Sequence, residues 1–266
     1  SKRNDYELVI TNPEGYNLNP EITKGIKVLH DQKEAFKNSD FIYAKNWSSY
    51  DNYRKILIND DSLMINEDSG FGTGQLPDKE GQMYHMKVDD LYMIPTAEVP
   101  LTNIYRNTLL NVSDLPIKLC GYTPCFRREA GSYGKDVRGL NRLHQFDKVE
   151  IVQKQHPDKS AETLDAMVDH VKGLLEALEL PYRILRLCAG DMGFTAATTY
   201  DFEVWSAAQE MWLEVSSVST FETFQANRLK CRFKDADGKN QLVHTLNGSA
   251  FALPRIVGAL LENHQD

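Results

Sequence analysis

No Cys-x-x-Cys pair occurs among the four cysteines, Cys120, Cys125, Cys188 and Cys231. Such scattered thiols point to a reduced, cytoplasmic protein. Nor is there an excess of basic charge. The formal net charge of −8 argues against broad nucleic-acid affinity and leaves room only for a few local basic contacts. No apolar run approaches membrane-spanning length, and nothing at the N-terminus reads as a signal peptide, so no membrane is expected as a partner. What is present is ordinary for a soluble globular protein: 266 residues, enough for one or two domains, 41% of them hydrophobic.

The stretch around which the chain is organised is TPCFRREAGSYGKDVRGLNRLHQFDKVE, Thr123 to Glu150. Its ends, TPCF and FDKVE, are apolar and strand-like. Between them a Gly-rich polar loop carries Arg127, Arg128, Lys135, Arg138 and Arg142. Two antiparallel strands joined by a long loop would hold these cations above one sheet face. Guanidinium forks grip phosphate oxygens bidentately. Glu129 and Glu150 share the strands and suit an amine, or a metal bridging phosphates. The plainer alternative is a solvated hairpin with a salt-bridged loop.

Residues 1–62 read as strands alternating with short helices: YELVIT, a Pro/Gly/Asn-rich turn, IKVLH, then DQKEAFKNS as a helix and DFIYAKNW as a third strand. That alternation implies a small parallel α/β segment. Composition turns polar over 56–70, which marks a seam between residues 1–62 and 63–266. Beyond it, GFGTGQLPDKEGQMYHM reads as an ordered loop with little secondary structure. LYMIPTAEVPLTNIYRNTLL gives a strand, a turn at Pro95, and a helix through Asn103 to Leu110, with Thr96 and Glu98 just before it as a cap and a first-turn acid. SAETLDAMVDHVKGLLEALEL is the clearest helix, with Ser160 as N-cap and Pro181 beyond its end. Cys188 is expected in a buried strand. EMWLEVSSVS alternates as a sheet strand. FQANRLKCRFKDADGKNQLVHTLNG reads as a hairpin turning at Asp235 to Asn240. A last helix starts near Leu253 with Ile256, Val257, Leu260 and Leu261 as its buried stripe. Arg255 lies in that helix's first turn, where dipole considerations disfavour a cation; an anionic partner would remove the conflict, and a surface salt bridge is the plainer reading.

Several of these segments resemble, in register and in family order, the seryl-tRNA synthetases of class II. FRREAGSYGKDVRGLNRLHQFDKVE is similar to that family's second signature motif. SGFGTGQLPDKEGQMYH and LYMIPTAEVPLTNIY resemble its entry loop and its serine-reading Thr-Ala-Glu loop. WLEVSSVSTFETFQANR and HTLNGSAFALPRIVGALLENHQ resemble its next strand and its third motif. The resemblance runs from about Asn66 to Gln265. DYELVITNPEGYNLNPEI with DQKEAFKNSDFIYAKNW resembles instead part of an acetylornithine or succinylornithine transcarbamylase. The carbamoyl-phosphate signature and the ornithine-side loop are missing, so no transcarbamylase activity is expected. The synthetase family's first motif and its helical tRNA-binding arm are not recognisable either.

The resemblance implies an α+β fold: a class II synthetase-like antiparallel sheet with flanking helices, preceded by the small α/β segment. It implies formation of seryl-adenylate from serine and ATP with Mg2+, transfer to tRNA(Ser), and a homodimer. Arg127 and Arg255 would hold the α- and γ-phosphates as the catalytic pair. Arg128, Glu129, Arg142, Phe146, Glu214, Val215, Ser216 and Ser217 would complete the ATP site, with Phe146 stacked on adenine and Glu214 and Ser217 on the metal. For Glu214 the plain alternative is a cross-strand charge pair. Thr96, Ala97, Glu98, Arg127, Glu150, Asn247 and Ser249 would bind serine. Two other readings stay open: a synthetase-like paralogue that binds or activates serine without charging tRNA, and a non-catalytic fusion.

Overall fold

Strands in this chain alternate polar and apolar side chains, as in Thr199, Asp201 and Glu203 against Tyr200, Phe202 and Val204. Period-two alternation sends each set to its own sheet face. The computed structural model describes residues 9–11, 23–30, 63–130 and 139–265. Two compact units divide the chain, Ser1–Asn59 and Asp60–Asp266. In the first, β1 (Val9–Thr11) and β2 (Lys27–Leu29) pair in parallel, as strands alternating with helices should. The helix and third strand expected over 31–47 lie outside the described residues.

The second unit begins with β3 (Met64–Ile65) and then α1 (Glu67–Thr73), a helix where an ordered loop was expected. Asn66 caps it by accepting the Ser69 N–H at 2.9 Å, Glu67 and Asp68 occupy its first turn, and Gly74 closes it at φ 89°. Glycine inside a helix costs about 1 kcal/mol against alanine, and close packing explains its use here. A Cβ on Gly70 would stand 2.7 Å from Leu76 Cδ1, and one on Gly72 would stand 2.5 Å from Leu229 Cδ2. Next, β4 (His85–Met86) and β3 flank β5 (Leu91–Met93) in a small sheet. The following helix, α2 (Glu98–Asn103), ends where it was expected to continue. Asn107 takes a left-handed backbone (φ 56°), and Leu109–Asn111 becomes β6, a strand of a second small sheet.

The hairpin of β7 (Ile117–Phe126) and β8 (Gln145–Gln155) forms as the sequence implied. After it come α3 (Ser160–Ala177), β9 (Tyr182–Arg186), β10 (Thr198–Ser206), β11 (Met211–Glu222), α4 (Phe224–Leu229), β12 (Arg232–Lys234), β13 (Asn240–Leu242), β14 (His244–Ala252) and α5 (Leu253–Asn263). The main sheet has the order β7-β8-β14-β11-β10-β9, with every pair antiparallel. Antiparallel sheet and flanking helices make this the expected α+β fold.

Four further expectations need correction. FQANRL is not a strand but α4, with Gln225, Ala226 and Leu229 buried at helical spacing; only the part from Arg232 forms the expected hairpin. Ser160 is the first residue of α3 rather than its cap, because the 3-10 turn Pro157–Lys159 runs directly into the helix, and its hydroxyl lies 3.3 Å from the Thr220 hydroxyl on the sheet. In α5 Ile256 is buried and Leu260 packs against the core as expected, but Ala259 is the other buried position, while Val257 is 44% and Leu261 62% exposed. The helix lies on the sheet one position round from the expected stripe. Cys188 follows the end of β9, so it is exposed in a loop, its thiol donating to Asp191 at 3.2 Å.

The main core lies on one face of the main sheet, with smaller ones around α4 and β12 and beside the small sheet of β3, β5 and β4. Leu164, Met167, Val171 and Leu175 of α3, with Ile256 and Ala259 of α5, pack on Phe202, Val204, Val218 and Leu246. The opposite parity of the same strands is polar and faces away from these helices.

Candidate active site

Strand register assembles the polar face. Phe146, Lys148 and Glu150 alternate along β8 and share one side. Glu150 pairs across to Ser249 of β14, with Asn247 two residues along, and Asp201 of β10 pairs across to Ser217 of β11. Two adjoining clefts open over this face and share Arg127, Glu129, Arg142, Lys148, Glu214 and Ser249 on their walls.

Glu150 anchors the first cleft. It is 1% exposed, and its carboxylate accepts from Lys148 Nζ at 2.6 Å, Thr96 Oγ1 at 3.3 Å, Asn247 Nδ2 at 3.2 Å and Ser249 Oγ at 3.4 Å. Thr96 reaches in from the turn before α2, where its hydroxyl also accepts the Glu98 N–H at 3.2 Å and Lys148 Nζ at 2.7 Å. The N-cap of α2 is thus Ala97 and not Thr96 as expected, although the Thr96 hydroxyl still takes up the first N–H of the helix from within the cleft. Glu98, the first residue of α2, is 5% exposed and lines the same cleft. Burial first, and the Glu150 charge second, push its carboxyl up to about 7; the Gln225 hydrogen bond, Lys148 and Arg127 oppose the rise.

The second cleft is cationic. Arg127 leaves the end of β7, its Nε donating to the Pro95 carbonyl at 3.4 Å and its guanidinium 5.4 Å from the centre of the Phe146 ring. Arg255 enters from the first turn of α5, donating to the Asn141 carbonyl at 3.1 Å and to the Glu214 carbonyl. Its pKa is lowered chiefly by burial, against the pull of Glu214. It makes no surface salt bridge, since its described partners are backbone carbonyls. A half-buried guanidinium with free donors on a cleft wall suits an anion. Glu129 takes a left-handed backbone, φ 51°, which turns its carboxylate toward Arg142 at 3.0 Å. Glu214 is exposed at the rim, and its strand neighbour is Glu203, so a cross-strand ion pair between opposite charges is not what this register provides.

Not every expected residue converges. Arg128 turns aside to the Gly81 carbonyl at 3.1 Å, and Ala97 is fully buried off the cleft walls. Val215 packs into the core, and Ser216 donates to the Ser249 carbonyl, so each meets the second cleft only at its wall. Lys135 and Arg138 lie outside the described residues. Three contributors went unseen in the sequence. Lys148 sits midway between Phe146 and Glu150, and strand alternation alone would have found it. Gln225 is 1% exposed and donates to Glu98 Oε1 at 2.6 Å and the Thr73 carbonyl at 3.1 Å, while its own oxygen accepts from Thr245 at 2.8 Å. It carried no local signal, because its helix was read as a strand.

Asp201 is the third. Burial raises its carboxyl to about 6, Ser217's hydroxyl opposes that, and Glu214 and Glu203 add to it. Its Oδ1 is buried without a hydrogen-bond partner. With Glu214 and Ser217 beside it on the cleft wall, the donors there are all oxygen, the set a hard divalent cation takes. Among the described residues no group of three His, Cys, Asp or Glu side chains is placed to hold a metal alone. A magnesium ion completed by phosphate oxygens and water fits these residues.

Residues 84–264 match the family described as tRNA synthetase class II core domain (G, H, P, S and T). The chain is 61% identical over 204 residues to the serine–tRNA ligase of Salinibacter ruber, covering 76% of this chain and 48% of that protein. It is 56% identical over 194 residues to the serine–tRNA ligase of a Hydrogenobaculum species, covering 73% and 46%. In structure it is similar to seryl-tRNA synthetase from Pyrococcus horikoshii complexed with ATP, with a TM-score of 0.74 and 33% identity over 97% of this chain and 66% of that one. The chain spans about half the length of the two bacterial ligases. With two thirds of its length matched in register, it belongs to the class II tRNA synthetase core family.

Proposed function

We propose that this chain activates serine with ATP, forming seryl-adenylate and pyrophosphate, as the catalytic core of a serine–tRNA ligase. The observation that carries this reading is the pairing of two unlike clefts on one sheet face. One is lined by arginines and an aromatic ring, the other by buried Glu150, Glu98 and Thr96. The similarity to serine–tRNA ligases supports the same substrates.

The residues divide by chemistry. Arg127 and Arg255 bind triphosphate oxygens and neutralise charge that grows as the serine carboxylate attacks the α-phosphorus. Phe146 offers its face to the base, and Glu129 and Arg142 border it. Glu150, Glu98 and Thr96 take the amine and hydroxyl of serine, with Asn247 and Ser249 holding Glu150. Glu214 and Ser217 would hold magnesium, which supplies positive charge to the phosphate oxygens. No side chain acts as a covalent nucleophile; the work is positioning and electrostatic stabilisation. The acceptor is tRNA(Ser), and the homodimer and cytoplasmic setting follow from the resemblance. Residues 1–62 carry only their sequence likeness to a transcarbamylase fragment, and no activity is proposed for them.

ATP with magnesium should raise the melting temperature by linkage, about 3 kcal/mol of stabilisation at a hundredfold excess over Kd. Arg255→Ala should remove most of that shift, and Lys159→Ala on the exposed side of the molecule should keep it. Equal shifts in all three proteins would refute the cleft assignment.

A further inference from the structure

Glu98 is buried beside a second carboxylate, and a carboxyl in such a place tends to take up a proton. Its surroundings divide by element. Glu150 and Lys148 face it from β8 and Arg127 from the end of β7, while Lys154 of β8 lies on the Thr102 carbonyl toward the other end of α2. From α4 comes Gln225, which is neutral. The two amide hydrogens of Gln225 go to Glu98 Oε1 and the Thr73 carbonyl, and its amide oxygen takes the Thr245 hydroxyl proton. Acceptors on the nitrogen side and a donor on the oxygen side fix the amide in one orientation. A flipped amide would set oxygen against a carboxylate and a carbonyl. The last residue of α1, the first of α2 and strand β14 thus meet on one buried side chain. The bond to Glu98 is the shortest of the three, at 2.6 Å, as befits a donor to a carboxylate.

We propose that Gln225 is a positioning residue: its amide keeps Glu98 ionised at neutral pH and fixed at the cleft wall, so that a substrate ammonium meets a carboxylate and not a carboxylic acid. The proposal rests on the amine-binding role given to Glu98 in the serine-activating reading. Gln225 itself lines neither cleft, so it acts through Glu98 alone. A neutral donor suits this task better than a cation. Lysine or arginine in its place would also hold the charge, but would cancel the attraction for the ligand's ammonium. An amide favours the carboxylate and leaves its net charge to the ligand. The Glu98 carboxyl already stands at about 7, raised by burial and then by Glu150, with the Gln225 bond opposing the rise. Without that bond it would climb further and be mostly protonated at neutral pH.

The test is the titration of Glu98 in the ligand-free full chain by carboxyl-carbon NMR, beside L-serine binding by calorimetry. In Gln225→Met the Glu98 midpoint should move up by about one pH unit, the size expected on losing a hydrogen bond to a charged group. Serine affinity should then fall about tenfold at about pH 6 and less than about twofold at about pH 8.5, where both proteins are mostly ionised. Thr245→Val takes a different hydrogen bond from the same amide and leaves the donor on Glu98, so it should lower the melting temperature without moving the midpoint. A midpoint unmoved in Gln225→Met, or moved equally in Thr245→Val, overturns the proposal. So does a loss of serine affinity that is the same at both pH values, the mark of a merely structural glutamine. Should Gln225→Met not fold, the parent supplies the test. Its Gln225 side-chain amide signals should shift with the Glu98 midpoint and cease to do so in Glu98→Gln; signals indifferent to that midpoint overturn the proposal. If the midpoint moves as expected and serine does not bind, the serine reading fails and the hold of Gln225 on the Glu98 charge stands.

Discussion

On one face of the main sheet, Phe202, Val204, Val218 and Leu246 meet the apolar sides of α3 and α5; on the other, the alternate residues of the same strands put Asp201, Ser217, Asn247 and Glu150 beside clefts. The first face stabilises the fold, because it removes apolar area from water at roughly 25 cal/mol per Å². The second costs stability. Glu98, Lys148 and Glu150 are buried ionisable groups, and Asp201 holds an orphan oxygen. A strand's two parities thus serve opposite ends, and the helix-covered side offsets the strain of the reactive one.

The largest effect should come from breaking the stabilising face. Phe202 is fully buried in the middle of that core, so Phe202→Ala should lose about 3–5 kcal/mol. For a domain of this size the loss lowers the melting temperature by on the order of 10 °C. Whatever protein remains folded should keep its order of preference among amino acids. A thermal melt showing little change would mean that the two faces are not divided in this way.

A smaller effect, of opposite sign, should come from the costly face. The Glu98 carboxyl is pushed from its ordinary 4.5 up to about 7, mainly by burial and then by Glu150. A carboxyl raised in the folded state is more protonated there than in the unfolded chain between those values. Stability therefore falls as pH rises through that window, and the cost is complete above it. Glu98→Gln keeps an acceptor for Gln225 and removes the ionisation. Its melting temperature should exceed that of the parent by a few degrees at about pH 8, with the gap closing toward about pH 5. A gap independent of pH would place the Glu98 carboxyl in its ordinary range.

The same division explains what could be read in the sequence. Alternation was visible in β11, and the arginine-bearing hairpin in its two strand-like ends, whereas the site roles of Glu150 and Ser217 were implied only by the family resemblance. Lys148 obeyed the same period in β8 but lies beside Glu150, where a charge pair attracts no notice in a sequence. α1 was hidden because its interior glycines satisfy contacts with Leu76 and Leu229, residues near and remote in the chain, rather than helix propensity. α4 was hidden for a related reason: six residues are too few to show a period, and tertiary burial of Gln225 and Leu229 holds them helical. Arg128 shows the limit of motif reasoning. It adjoins Arg127 in sequence, yet successive positions point in opposite directions, and it bonds Gly81 away from the clefts.

The most direct test of the claim that the polar face is a serine-activating site is ATP–pyrophosphate exchange by the full chain. Serine should drive exchange at least about a hundredfold better than alanine, because a pocket built to bond a hydroxyl is left with unpaired buried groups when the hydroxyl is missing. Arg255→Ala should abolish exchange while the protein stays folded. Folded parent protein with no serine-dependent exchange, or with alanine as good as serine, would contradict the account.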